Sequence, residues 1–94
     1  MGTVNGERGT GNGVLRVKVL LFARFAELLG QSELMIDVSA PATVRTVLDN
    51  LRERAGGSLL PPSPMVARNR VQAQLDTALE DGDEVAVLPP LAGG

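Results

Sequence analysis

The chain has 94 residues, 44% of them apolar, with 11 acidic and 9 basic side chains for a formal net charge of −2, and neither Cys nor His. That length and apolar content support one domain around one modest core. The missing Cys and His exclude disulfide scaffolding, thiol nucleophiles, imidazole bases and the usual zinc sites, and the weak charge without a basic cluster leaves no footprint for nucleic acid or an anionic membrane.

Met1 to Gly13 holds five glycines and only Met1 and Val4 as large apolar residues. Such a stretch cannot bury enough surface to offset its ordering entropy, so residues 1–13 are expected to be a disordered leader. Its Met1-Gly2 start lacks the Ser or Thr that a myristoylation signal needs at the sixth residue, which is Gly6.

Leu15 to Ala23 reads as the first strand. Arg16 and Lys18 alternate with Leu15, Val17, Val19 and Leu21, turning those four inward and leaving Leu20 and Phe22 on the outer face. Val19 to Ala23 is also the longest apolar run, too short for a membrane span or a signal-peptide core, and a soluble cytoplasmic protein is expected. Arg24 to Leu29 reads as a short helix stopped by Gly30, with Phe25, Leu28 and Leu29 as its buried side. Glu33 to Val38 is the second strand, Leu34, Ile36 and Val38 facing one way and Met35 and Asp37 the other.

Thr43 is placed to N-cap the one substantial helix, Val44 to Ala55. Val44, Val47, Leu48, Leu51 and Ala55 recur at helical spacing, and Gly56-Gly57 closes it. Arg45, Asp49, Arg52 and Glu53 fall on its other side as a solvated face. The three prolines of Ser58 to Pro64 make a loop. Met65 to Asn69 and Val71 to Leu75 read as short strands joined by a tight turn at Asn69-Arg70.

Asp81-Gly82-Asp83 is a turn signal, and the acidic group Glu80, Asp81, Asp83 and Glu84 is expected to be a solvated turn, since its spacing is not that of a calcium loop. Glu84 to Leu88 is the last strand, with Val85 and Val87 on one face and Ala86 and Leu88 on the other. Pro89-Pro90 ends it, because two residues without N–H donors cannot extend a ladder and their fixed φ favours an extended segment. Leu91-Ala92-Gly93-Gly94 is expected to be a flexible tail. Five residues beyond Pro89 reach at most ~18 Å, and Gly93-Gly94, without Cβ atoms, can thread a narrow channel and present an open carboxylate. A frayed terminus that happens to end in two glycines is the competing reading. The order of elements makes an α+β domain over residues 14–90, one main helix packed across one mixed sheet of about five strands.

Three stretches together resemble a known family. They are Val17-Lys-Val-Leu-Leu-Phe-Ala23 followed by Glu27-Leu28-Leu29-Gly30, then Asn69, then Leu79-Glu-Asp-Gly-Asp-Glu-Val-Ala-Val-Leu-Pro-Pro-Leu-Ala-Gly-Gly94. From about Leu15 to Gly94 the chain resembles the β-grasp, ubiquitin-like sulfur carriers, and among them the small subunits of molybdopterin synthase. The resemblance implies that the Gly94 carboxylate is the working group. An E1-like enzyme would use ATP to make it an acyl-adenylate, a sulfur donor would convert that to a thiocarboxylate, and the loaded tail of Pro89, Pro90, Leu91, Ala92, Gly93 and Gly94 would enter the large synthase subunit, in a heterotetramer, to deliver sulfur to the pyranopterin precursor. It further implies that Leu20, Phe22, Gln72, Ala86 and Leu88 meet the large subunit, that the carrier binds no cofactor or metal itself, and that catalytic side chains belong to the partner. Alternatives are a related carrier for thiamine, cysteine or tRNA thiolation, a ubiquitin-like modifier joined to lysines, and a β-grasp module that only binds a ligand.

Overall fold

The computed structural model describes residues 13–89. It contains β1 (Val14–Leu21), α1 (Arg24–Leu29), β2 (Glu33–Ser39), α2 (Val44–Arg52), a 3-10 turn at Gly57–Leu59, β3 (Met65–Arg68), β4 (Val71–Ala73) and β5 (Glu84–Leu88). The strands form one sheet in the order β2-β1-β5-β3-β4. The last strand in sequence therefore lies in the middle of the sheet, parallel to β1 and antiparallel to β3.

One face of this sheet is dry. Leu15, Val17, Val19 and Leu21 of β1, Leu34, Ile36 and Val38 of β2, Val66 of β3 and Val85 and Val87 of β5 are buried with Val44, Val47, Leu48 and Leu51 of α2. Each such Val or Leu contributes about 1.5–3 kcal/mol by leaving water, so this inner face holds the fold together. The period of two along the strands and the helical spacing along α2 put these residues together, as the sequence predicts. Phe25 of α1 is also buried, while Leu28 and Leu29 are half-buried and pack against the cluster's edge.

Several boundaries differ from the sequence-based expectation. β1 stops at Leu21 rather than running to Ala23: the Leu21 N–H still bonds the Ser32 carbonyl at 2.9 Å, one more rung of the β1–β2 register, but two residues on Ala23 takes a positive φ of 52° that a strand does not accommodate. α2 ends at Arg52 rather than Ala55, where the Glu53 and Arg54 amides tighten onto the Asn50 and Leu51 carbonyls and lead into Gly56 at φ 84°. β4 ends at Ala73 rather than Leu75, since the Gln74 N–H is taken by Thr77 Oγ1 at 2.9 Å and the Leu75 carbonyl by the Arg45 N–H at 2.8 Å. The proline-rich loop carries the 3-10 turn and buries Leu60 beneath it. At the N-terminus the Gly13 carbonyl accepts the Ala40 N–H at 2.9 Å, so Gly13 is held at the end of the β1–β2 ladder, and the rest of the expected leader lies outside the described residues.

Thr43 stands at the start of α2 in extended conformation, and its N–H donates to Thr46 Oγ1 at 3.1 Å. Asn69 and Arg70 form the β3–β4 turn with φ of 50° and 73°, the paired positive values that let a two-residue turn match the twist of its strands. Among the described residues no helix is long and apolar enough to cross a membrane.

Candidate functional site

The site begins at the acidic turn that feeds β5. Asp83 is buried, and its carboxylate accepts three hydrogen bonds, from Arg68 Nε at 2.6 Å and the Glu80 N–H at 2.8 Å on Oδ2, and from Asn69 Nδ2 at 3.0 Å on Oδ1. Its carbonyl takes the Lys18 N–H at 2.9 Å. Burial alone would raise the carboxyl's pKa, but the hydrogen bonds from Arg68, Asn69 and Glu80 outweigh it and hold the group below its ordinary value. The expectation of a solvated turn is thus corrected at Asp83, which the folded β3–β4 hairpin supplies with donors. Asp81 is also engaged, its Oδ1 accepting the Arg16 N–H at 2.8 Å. Asn69 adds a false rung to the ladder, its N–H donating to the Glu84 carbonyl at 2.8 Å and its Oδ1 accepting the Glu84 N–H at 2.9 Å. These bonds pin the start of β5 against β1 and β3, and so fix where its other end emerges.

The strand's register then arranges the sheet face away from α2. Leu20 pairs with Ala86, Ala86 with Ala67, and Ala67 with Gln72, in one row across four strands. Toward the C-terminal end of β5, Leu88 pairs with Met65. Leu20, Ala86, Ala67 and Leu88 are half-buried, Gln72 is exposed, Met65 is 36% exposed and Phe22 is 45% exposed. The opposite end of the same face is charged: Lys18 pairs in register with Glu84 and lies 3.8 Å from Glu33, and Arg16 bonds Asp37 at 3.1 Å. Exposed pairs of this kind contribute little to stability and mark a hydrated border.

Of the residues proposed from the sequence, Leu20, Ala86, Leu88 and Gln72 share this face. Phe22 is exposed, but it follows β1 rather than belonging to it, so strand alternation does not account for its position. Pro89 is half-buried at the end of β5. Pro90, Leu91, Ala92, Gly93 and Gly94 lie outside the described residues. Met65 and Ala67 were not singled out from the sequence, although Val66 between them is buried and the period of two places both outside. On α2, Arg52 does not simply face solvent: it reaches Asp49 at 3.4 Å and donates to the Pro61 carbonyl, tying the proline-rich loop to the helix. Among the described residues no group of three or more acidic side chains is arranged to hold a metal ion.

Residues 19–94 match the ThiS family. The molybdopterin synthase sulfur carrier subunit of Drosophila erecta is 36% identical over 84 residues, covering 86% of this chain and 93% of that protein. The crystal structure of SAMP1 from Haloferax volcanii superposes with a TM-score of 0.71 at 33% identity, over 84% of this chain and 99% of that one. A protein-protein complex of subunits 1 and 2 of the molybdopterin-converting factor from Helicobacter pylori contains a chain that superposes with a TM-score of 0.63 at 25% identity, over 85% of this chain and 100% of that one.

Proposed function

The chain belongs to the ThiS family, with the β-grasp, ubiquitin-like fold, and on that premise we propose that it is the sulfur carrier subunit of a molybdopterin synthase. One observation carries the reading: the central strand β5 brings an apolar outer face directly to Leu88 and Pro89, from which the sequence continues through Pro90 to the diglycine. The similarity to a carrier subunit and to a chain from a two-subunit complex supports it.

In this reading the protein is not itself a catalyst. A Gly94 carboxylate oxygen attacks the α-phosphorus of ATP on an E1-like partner, pyrophosphate leaves, and the acyl-adenylate forms. Sulfide released by a donor then attacks the activated carbonyl and displaces AMP, and loss of the S–H proton leaves the thiocarboxylate. Splitting a difficult exchange into two easier steps is the usual gain of a covalent intermediate. The apolar face docks on the large subunit, which holds the catalytic side chains, and Pro89 and Pro90 limit the entropy lost when the tail is ordered there. The thiocarboxylate sulfur bonds to a carbon of the pyranopterin precursor, displacing an oxygen substituent, and water then hydrolyses the resulting thioester, which leaves the sulfur on the precursor and returns the Gly94 carboxylate. The two glycines at the end admit the tail to a channel too narrow for a Cβ.

The test is intact-mass analysis after incubation with ATP, an E1-like enzyme and a sulfur donor, looking for exchange of one C-terminal oxygen for sulfur. Deleting Gly94 should abolish adenylation and leave the fold intact, because the buried core of the described residues ends at Val87. Full adenylation of the shortened chain would overturn the reading.

The likeness to SAMP1, a small archaeal modifier protein, favours a second reading in which the activated Gly94 is joined to lysine amines of other proteins. Covalent ladders reactive with antibody to this chain in cell extracts, lost when Gly94 is deleted, would support that use.

A further inference from the structure

The outer face is not evenly apolar; it has a low centre. Ala86 and Ala67 are direct partners on adjacent strands β5 and β3, so their methyl groups lie side by side about 5 Å apart. Larger side chains surround them. Leu20 stands across from Ala86 on β1 and Gln72 across from Ala67 on β4, which places these two walls three strand spacings apart, about 14 Å. Leu88 and Met65 close the end toward Pro89, and Glu84, beside Lys18, closes the other. Both alanines are half-buried, as floor positions should be.

We propose that this alanine-floored depression is a socket for one large apolar side chain projecting from the large subunit. The inference rests on the docking role given to this face above and adds the shape and chemistry of what docks. An apolar knob seated between Leu88, Met65 and Leu20 covers the two methyls and drives out the water above them, the centre-of-interface arrangement that concentrates binding energy. The charged border at Lys18 and Glu84 stays hydrated and sets the direction of seating, with the knob toward the tail. A flat apolar face would accept a flat partner in several positions. A socket fixes one, and with it the point from which the tail reaches inward.

The test uses filling substitutions, Ala67→Leu and Ala86→Leu, alongside Phe22→Ala. Leucine on the open face of a strand is at least as compatible with the sheet as alanine, and urea unfolding of each variant checks this. Titration calorimetry against the purified large subunit should show each filling variant binding at least tenfold more weakly although it is more apolar than the parent. If the filled variants bind as well as or better than the parent while Phe22→Ala binds more weakly, the face docks but has no socket, and this inference falls alone. If none of the three changes the affinity, the docking face itself is misassigned and both fall. Should one filling variant shift the unfolding midpoint, the comparison is read from the other, and Ala67→Val fills the same floor with a smaller group.

Discussion

Replacing Phe22 by alanine separates a docking residue from a core residue by magnitude. The ring is 45% exposed, so of a side chain that can bury ~200 Å² about 90 Å² is left for a partner to cover. At ~25 cal/mol per Å² that area is equivalent to about 2 kcal/mol of binding free energy, or roughly a thirtyfold change in affinity. The covered half already contributes to the fold, so the stability loss should be near half of the ~3–5 kcal/mol typical of a buried Phe→Ala change, about 2 kcal/mol. Urea unfolding and titration calorimetry against the large subunit, done on the same preparation, read both numbers. A stability loss of the full ~4 kcal/mol with affinity unchanged would refute the reasoning, because Phe22 would then be spending its whole surface inside the protein.

Ala23 sits at φ 52° and ψ −123°, a region close to glycine-only that costs about 1–3 kcal/mol, so Ala23→Gly should raise stability by about 1 kcal/mol after glycine's entropic cost of ~0.5–1; a lower urea midpoint would contradict this. Asp83 has its pKa depressed in the fold, so its stabilisation is fully present above the unfolded value of ~3.9 and is lost as pH falls through the lower folded value. Asp83→Asn should therefore cost about 1–3 kcal/mol near neutrality, with the gap to the parent closing under acid; a gap constant between pH 7 and pH 3, within about that range, would show that the charge is not what matters. Gly56→Ala would place a Cβ 1.8 Å from the Leu28 carbonyl oxygen at φ 84° and should cost more than ~2 kcal/mol, whereas Gly30→Ala, at φ 77° with open space around it, should cost only the ~1–2 kcal/mol of the left-handed backbone. Thermal melts of the pair test the ordering.

Much of the inner layer is legible in the sequence because it repeats. Val17, Val19 and Leu21 alternate with charged or outward residues, and Val44, Val47, Leu48 and Leu51 recur every three or four, so periodicity alone assigns their faces. What escapes is set by tertiary context. Nothing in an alanine announces the positive φ of Ala23, and that backbone reversal is what cuts β1 short and removes Phe22 from the strand's alternation. Asp83 looks like any acidic residue beside a glycine turn; only the return of Arg68 and Asn69 on a hairpin over ten residues earlier in the chain makes it a buried acceptor. The outer face of the sheet is half legible, since Leu20, Ala86 and Leu88 follow from alternation, but Met65 and Ala67 join it only once β3 is known to lie beside β5.

The middle position of β5 has a consequence for how the molecule is made. Until Glu84–Leu88 is in place, β1–β2 and β3–β4 are two separate hairpins with no ladder between them, and an isolated hairpin is marginal in water. Closure joins strands far apart in sequence and must wait for nearly the whole chain, which makes it a late event during synthesis. Fragments that end before β5 leave both hairpins with open edges, the kind of surface that chaperones and proteases act on. The segment after Leu88 is thus carried by the strand that completes the sheet, and it gains a fixed point of departure only in the same step that makes the rest of the protein stable.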